Sequence, residues 1–208
     1  MAVIVVANPK GGVGKSTLST NLAGLYASRG EWVALADLDR QQSAHDWLDI
    51  RPAGLPPIES WKIDLEQPQK PPKGLEQIVI DTPAGIHGNR LDIALNLAER
   101  VIVPLQPSIF DILATRDFLA RLAKEKVVRK GGIKIGIVGM RVDARTKSAD
   151  QLHRFVEGLG LPVLGYVRDT QNYVQLAAQG LTLWDVTASR VAKDLEQWEP
   201  IIAWLDGA

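Results

Sequence analysis

The chain has no cysteine among its 208 residues. That absence excludes disulfides, thiolate metal sites, iron–sulfur clusters and a cysteine nucleophile. Long hydrophobic runs are missing too: the apolar stretch Ala2 to Ala7 runs straight into Asn8-Pro9-Lys10 and is too short for a signal-peptide core or a membrane span. Nor is there an excess of either charge. Twenty-four Lys and Arg balance 24 Asp and Glu, so a polyanionic partner has to be held by a local patch rather than by the whole-molecule field. The three histidines, at 45, 87 and 153, lack metal-ligand spacing; His45 alone sits where it could approach a phosphate, and surface or helix-cap roles suit all three better. What is present, 46% hydrophobic and 23% charged residues, is enough for an ordinary core. The expectation is a cytoplasmic protein of one domain spanning residues 1–208.

Short runs rich in Val and Ile recur at Val3–Ala7, Trp32–Ala36, Gln77–Ile80, Val101–Pro104, Ile133–Val138 and Leu161–Val167, and each predicts a strand. Helical spacing occupies Ser16–Ser28, Asn89–Ala98, Asp111–Lys126, Ser148–Glu157 and Gln171–Gln179. Strand and helix alternate, and the strands lack strict in–out alternation. The economical fold is therefore α/β, a mainly parallel twisted β-sheet flanked by helices on both faces, with ligands at the carboxyl ends of the strands. Six of the 12 prolines fall between Pro52 and Pro72, which predicts a loop or extended-edge surface excursion over about 51–74. Ala188 to Trp204 reads as a terminal helix broken or restarted at Pro200.

The strongest signal is Asn8-Pro9-Lys10-Gly11-Gly12-Val13-Gly14-Lys15-Ser16-Thr17, between the first strand and the first helix. Glycines let successive backbone N–H groups turn inward, and the helix start adds partial positive charge. Lys15 supplies a full charge for the β- and γ-phosphates, and the Ser16 hydroxyl is a Mg²⁺ ligand. Lys10, Gly11, Gly12, Val13, Gly14, Lys15, Ser16 and Thr17 are thus the candidate nucleotide-binding residues. The pattern G-x-x-x-x-G-K-[ST] is not met strictly, because Pro9 stands at its first glycine and a second lysine, Lys10, has been added. A metal-assisted phosphate site also needs carboxylates at neighbouring strand ends. Asp37 and Asp39 follow the second strand, and Asp81 follows the third as the expected Walker-B group holding Mg²⁺ through water.

These residues, with D-L-D-R-Q-Q-S-A-H-D-W-L, I-V-I-D-T-P-A-G, V-P-L-Q-P-S-I-F-D and L-P-V-L-G-Y-V-R-D-T-Q-N-Y, resemble the deviant Walker A ATPases of the ParA/MinD group, specifically the short ParA-type partition ATPases without an N-terminal DNA-binding domain. The resemblance covers nearly the whole chain. It implies a P-loop NTPase with a deviant Walker A motif, using ATP and Mg²⁺, in which two subunits sandwich two ATP molecules and Lys10 reaches the partner's phosphates. By the same resemblance Asp39 positions the hydrolytic water, which makes Lys10, Lys15 and Asp39 the catalytic candidates, while Ser16, Asp37 and Asp81 serve the metal. It further implies an ATP-state homodimer on non-specific nucleoid DNA, released when a ParB-like or cargo-bound adaptor stimulates slow hydrolysis, with a plasmid, a chromosome locus or a protein assembly as cargo. Two departures stand out. Arg40 replaces the proline usual after Asp39, and Met140 occupies the place of an asparagine that reads adenine in relatives.

From Arg121 to Arg154 ten basic residues face three acidic ones, a cluster suited to DNA phosphates. Arg145, Lys147, Arg168 and Arg190 are the candidate DNA contacts. From Asp185 to Asp206 five acids outnumber Arg190 and Lys193, which argues against a basic membrane-binding terminal helix. Two rivals remain: an ATP-dependent synthetase of the dethiobiotin-synthetase kind, which the second lysine of the loop disfavours, and a nucleotide-binding regulator of cell division or secretion.

Overall fold

The computed structural model describes residues 1–39, 41–63, 71–129, 131–143 and 145–207, without the side chain of Lys126. Along the chain run β1 (Ala2–Val6), α1 (Lys15–Ser28), β2 (Val33–Asp37), α2 (Ser43–Asp49), β3 (Glu59–Trp61), β4 (Gln77–Asp81), α3 (Gly88–Leu97), β5 (Arg100–Leu105), α4 (Ile109–Leu122), α5 (Lys126–Arg129), β6 (Lys134–Gly139), α6 (Lys147–Glu157), β7 (Val163–Tyr166), α7 (Gln171–Ala177), a 3-10 turn (Leu183–Asp185) and α8 (Ala188–Asp206). The strands form one parallel sheet in the order β3-β2-β4-β1-β5-β6-β7.

Both faces of the sheet are covered, so its strands are apolar on both sides. On β1, Val3 and Val5 point into one core with α3, α4 and α6, while Ile4 and Val6 point into the other with α1, α2, α7 and α8. Helix α1 is buried almost all round from Leu18 to Ala27 and therefore has no polar stripe. Its Gly24 is where the chain near Thr182 crosses: a Cβ there would stand 2.5 Å from Thr182 Oγ1. Trp198 on α8 is fully buried and its indole N–H donates to the Tyr173 hydroxyl at 3.0 Å, so its one polar atom is satisfied inside the core.

The structure departs from the sequence expectation in one helix and adds detail at two other elements. Helix α8 runs through Pro200, and its kink lies at Val191 (φ −124°, ψ 20°). Pro200 and Glu196 are both exposed, so the carbonyl left unpaired by the missing N–H meets water and the break is unnecessary. Within the proline-rich excursion, Glu59–Trp61 becomes the edge strand β3, paired with β2 and anchored by buried Trp61; residues 64–70 lie outside the description. The short helix α2 was not legible from apolar spacing, because its seven residues bury only Ala44 and Trp47.

The register brings the first acids together. Asp81 pairs with Val6 of β1 on one side and with Asp37 of β2 on the other, so both carboxylates and the loop after β1 share one sheet edge.

Candidate nucleotide-binding site

The loop from Asn8 to Gly14 is fastened at several points. Asn8 is fully buried; its amide donates to Pro104 O at 2.7 Å and Thr115 Oγ1 at 2.9 Å, and its carbonyl accepts from Lys10 N at 2.9 Å. Gln106 Nε2 donates to Gly12 O at 2.8 Å, and Gly85 N donates to Pro9 O at 2.7 Å. Gly12 (φ 75°) and Gly14 (φ 96°) take left-handed backbone on either side of Val13, whose buried side chain anchors the loop. A Cβ at Gly14 would also stand 2.7 Å from Met140 Cε, so the base of the loop rests directly on the end of β6. Asn8 and Gln106 were not singled out from sequence, although both lie in segments that carried the family resemblance.

Inside the loop Lys15 is buried and its ammonium donates to Lys10 O at 2.7 Å. Burial lowers the Lys15 pKa below the ordinary lysine value, and the charges of Asp81 and Asp39 oppose that shift. Ser16 Oγ donates to Asp81 Oδ2 at 2.6 Å and Ser19 Oγ to Asp81 Oδ1 at 3.0 Å. Burial pushes the Asp81 carboxyl up to about 7; the Ser16 and Ser19 hydrogen bonds and Lys15 oppose the rise, while Asp37 adds to it. A Mg²⁺ ion fits this chemistry: a hydroxyl and a carboxylate reluctant to carry charge alone lie in contact, next to a loop built for phosphate oxygens. Among the described residues no group of three or more His, Cys, Asp or Glu could hold a metal by itself.

Asp37 is tied into the backbone next to this site. Oδ1 accepts from Asp39 N at 2.7 Å and Oδ2 from Ala44 N at 2.8 Å. Both oxygens are thus engaged in folding the 39–44 loop and starting α2, and the residue positions Asp39. Asp39 itself is half-buried, its Oδ1 accepts from Gln41 N at 3.0 Å, and it lines the same cavity as Gly11, Gly12, Lys15, Ser16 and Thr82. Arg40, the departure from the family pattern, lies outside the described residues.

The Lys10 side chain reaches toward α4. Its ammonium is 3.9 Å from Asp111 Oδ1, in the first turn of α4, and 41% of its side chain is exposed. On the same helix as Asp111, Ile109, Phe110 and Leu113 are 53%, 73% and 41% exposed, an uncovered apolar surface.

A second cavity, of about 270 Å³, lies between the phosphate loop and α7, with Met140, Val167, Tyr173, Val174 and Ala177 among its apolar walls. Buried Met140 accordingly offers surface rather than a hydrogen bond. Beneath it Asp194, fully buried on α8, accepts from Arg168 Nε at 2.6 Å, Arg168 Nη2 at 3.2 Å and Asn172 Nδ2 at 2.6 Å. Arg168, a candidate DNA contact, is thus paired with a buried carboxylate while 36% of its side chain stays exposed. Arg141, at the tip of β6, has φ 53°, a left-handed backbone costing about 1–3 kcal/mol in a residue with a side chain.

Of the other basic candidates, Arg145, Lys147 and Arg190 are exposed. Arg145 bonds Asp143 through Nε at 3.0 Å and Nη2 at 2.9 Å, so much of its charge is answered locally. His45 shares a hydrogen bond with Ser60 Oγ at 2.9 Å, away from the phosphate loop. No helix among the described residues is long and apolar enough to cross a membrane.

Comparison with known proteins identifies the family. Residues 4–183 match the family model described as the CobQ/CobB/MinD/ParA nucleotide binding domain. The maintenance of carboxysome distribution protein A of Gloeobacter kilaueensis is 28% identical over 191 residues, covering 87% of this chain and 83% of that protein. The chromosome-partitioning ATPase Soj of Thermus thermophilus is 28% identical over 182 residues, covering 72% and 73%. In fold the chain is similar to the ATP complex of Cyanothece McdA, with a TM-score of 0.73 at 17% identity over 97% of this chain and 96% of that one.

Proposed function

The chain belongs to the CobQ/CobB/MinD/ParA nucleotide-binding family and is an ATPase of ParA/MinD type, and from that premise we propose that it works as a DNA-tethered positioning or partition switch. Two copies close face to face over two ATP molecules, the closed form holds non-specific duplex DNA, and hydrolysis stimulated by a cargo-bound adaptor releases it to the cytoplasm. The observation that carries this reading is the second lysine. Lys10 directly precedes Gly11 of the phosphate cavity and its ammonium lies 3.9 Å from Asp111, on the helix that carries the exposed Ile109, Phe110 and Leu113, so a second copy covering that apolar surface would receive a cation at its own phosphates.

The chemistry follows from the residues. The amides of the Gly11–Gly14 loop and Lys15 bind and neutralise the phosphates. Ser16, and Asp81 through water, would hold Mg²⁺ bound with the nucleotide, and the ion would supply charge neutralisation at the phosphates. Asp39, set in place by Asp37, orients the attacking water. Lys10 adds positive charge across the interface where negative charge accumulates. DNA is held through Lys147, Arg190 and, once freed from Asp143, Arg145, which predicts a steep salt dependence. Relatedness to Soj and to the carboxysome distribution protein supports a positioning role and leaves the cargo to experiment.

The test is binding of the purified protein to non-specific duplex DNA with ATP–Mg²⁺, with ADP–Mg²⁺ and without nucleotide, across salt concentrations. ATP-selective, salt-sensitive binding is expected, and Asp39→Ala should prolong it by trapping the ATP form. No DNA binding in any nucleotide form, with ATP occupancy confirmed, overturns the reading in favour of a synthetase or a protein-bound regulator.

A further inference from the structure

The phosphate cavity, about 290 Å³, and the cavity beside α7, about 270 Å³, share three lining residues: Gly14, Thr17 and Arg141. A nucleotide with its phosphates in the first and its base in the second must pass those residues with its ribose and α-phosphate. Only Arg141 among the three carries charge, and it comes from the tip of β6 rather than from the phosphate loop. Its guanidinium is available. The side chain is 61% exposed, and its ionic contact is a long one, Nε to Asp169 Oδ1 at 4.0 Å, with Asp169 itself 70% exposed.

The backbone at this position is held rather than loose. Met140 N donates to Leu105 O at 2.8 Å and Val142 N donates to Val167 O at 3.0 Å, so the residues on both sides of Arg141 are fastened while Arg141 itself keeps φ 53°. Glycine would take that conformation without strain. An arginine retained there, facing both cavities, is the pattern of strain kept at a working position.

We infer that Arg141 is a nucleotide-binding residue of this ATPase, a cation that leaves Asp169 to hold the phosphate nearest the ribose. The inference rests on the ATPase reading and adds to it a residue outside the phosphate loop. A guanidinium on a phosphate oxygen makes a charge-assisted hydrogen bond, and losing one such bond weakens binding by about tenfold.

The test is calorimetric titration of the full chain and its variants with ADP, ATP and adenosine, ADP being the probe whose binding does not require a second copy. Arg141→Gln should weaken ADP and ATP by about tenfold and leave adenosine unchanged, since adenosine has no phosphate. Arg141→Lys should recover part of the loss. Arg141→Gly separates binding from folding: it relieves the left-handed strain and should raise thermal stability while weakening ADP as much as Arg141→Gln does. ADP affinity of Arg141→Gln within twofold of the wild type overturns the inference, as does an equal loss for adenosine. A wild-type chain that binds neither ADP nor ATP sinks the ATPase reading itself, and this inference with it.

Discussion

Asp194 offers a quantitative test of the structure beneath the cavity beside α7. It is fully buried and accepts three hydrogen bonds, two from Arg168 and one from Asn172. In Asp194→Asn the side chain keeps its shape, but one oxygen becomes an NH₂ group. Both original oxygens face donors, so the new amide must confront either Asn172 Nδ2 or the Arg168 guanidinium, donor against donor. Hydrogen bonds to charged groups contribute about 1.5–3 kcal/mol each, and removing one partner of a fully buried ion pair costs about 3–5 kcal/mol. Arg168 retains 36% side-chain exposure, and water answers part of its charge, so a loss of about 2–3 kcal/mol is expected. For a chain of this length that corresponds to a Tm lower by roughly 4–12 °C. Equilibrium urea unfolding, with an unchanged m-value, measures the loss directly. A double-mutant cycle with Arg168→Met should show coupling well above about 1 kcal/mol. A loss below about 0.5 kcal/mol for Asp194→Asn would refute the account, because it would place Asp194 among ordinary surface carboxylates.

The two lysines of the loop should separate cleanly. Lys15→Ala should abolish nucleotide binding in titration, whereas Lys10→Ala, which breaks only a partly exposed pair with Asp111, should cost less than about 1 kcal/mol of stability and keep some binding, yet lose the ATP dimer in analytical ultracentrifugation. An ATP dimer of normal strength in Lys10→Ala would rule out a cross-interface role. A third expectation concerns pH. Because burial raises the Asp81 carboxyl from 3.8 to about 7, its contribution to the stability of the nucleotide-free chain is full below about pH 4 and is lost as pH rises through 7, with a ceiling of about 4 kcal/mol. The stability difference between wild type and Asp81→Asn, followed by denaturation from pH 5 to 8, should therefore shift against the wild type as pH rises; a flat difference would refute it.

The sheet and the phosphate loop were legible because their signals are local. Val- and Ile-rich runs, a glycine loop and an aspartate at each strand end are read within a few residues, and parallel pairing then fixes which ends meet. Helix α2 and strand β3 were harder for a physical reason. Each buries few side chains of its own and takes its place from a neighbour: α2 from the Asp37 carboxylate on Ala44 N, and β3 from pairing along β2. Pro200 illustrates the converse, a strong local signal overruled because its unpaired carbonyl partner faces water.

Which polar groups are free was the part hidden from the sequence, and function depends on it. Arg168 and Arg141 are both arginines at strand ends near one cavity, yet Arg168 is bound to a buried carboxylate 26 residues away whereas, among the described residues, Arg141 has a 4.0 Å ionic contact with an exposed one. Asp37 and Asp39 look interchangeable two residues apart, but two backbone amides engage both oxygens of Asp37 while Asp39 lines the phosphate cavity. Asn8 is committed by partners 96 and 107 residues along the chain. Residue type and spacing tell what a group could do, and its hydrogen-bond partners decide whether it is available to do it. Substituting the buried, paired groups, Asp194, Arg168 and Asn8, should lower stability before it alters chemistry, whereas substituting Lys10, Asp39 and Arg141, whose partners are fewer or more exposed, should alter nucleotide binding or turnover with little loss of stability.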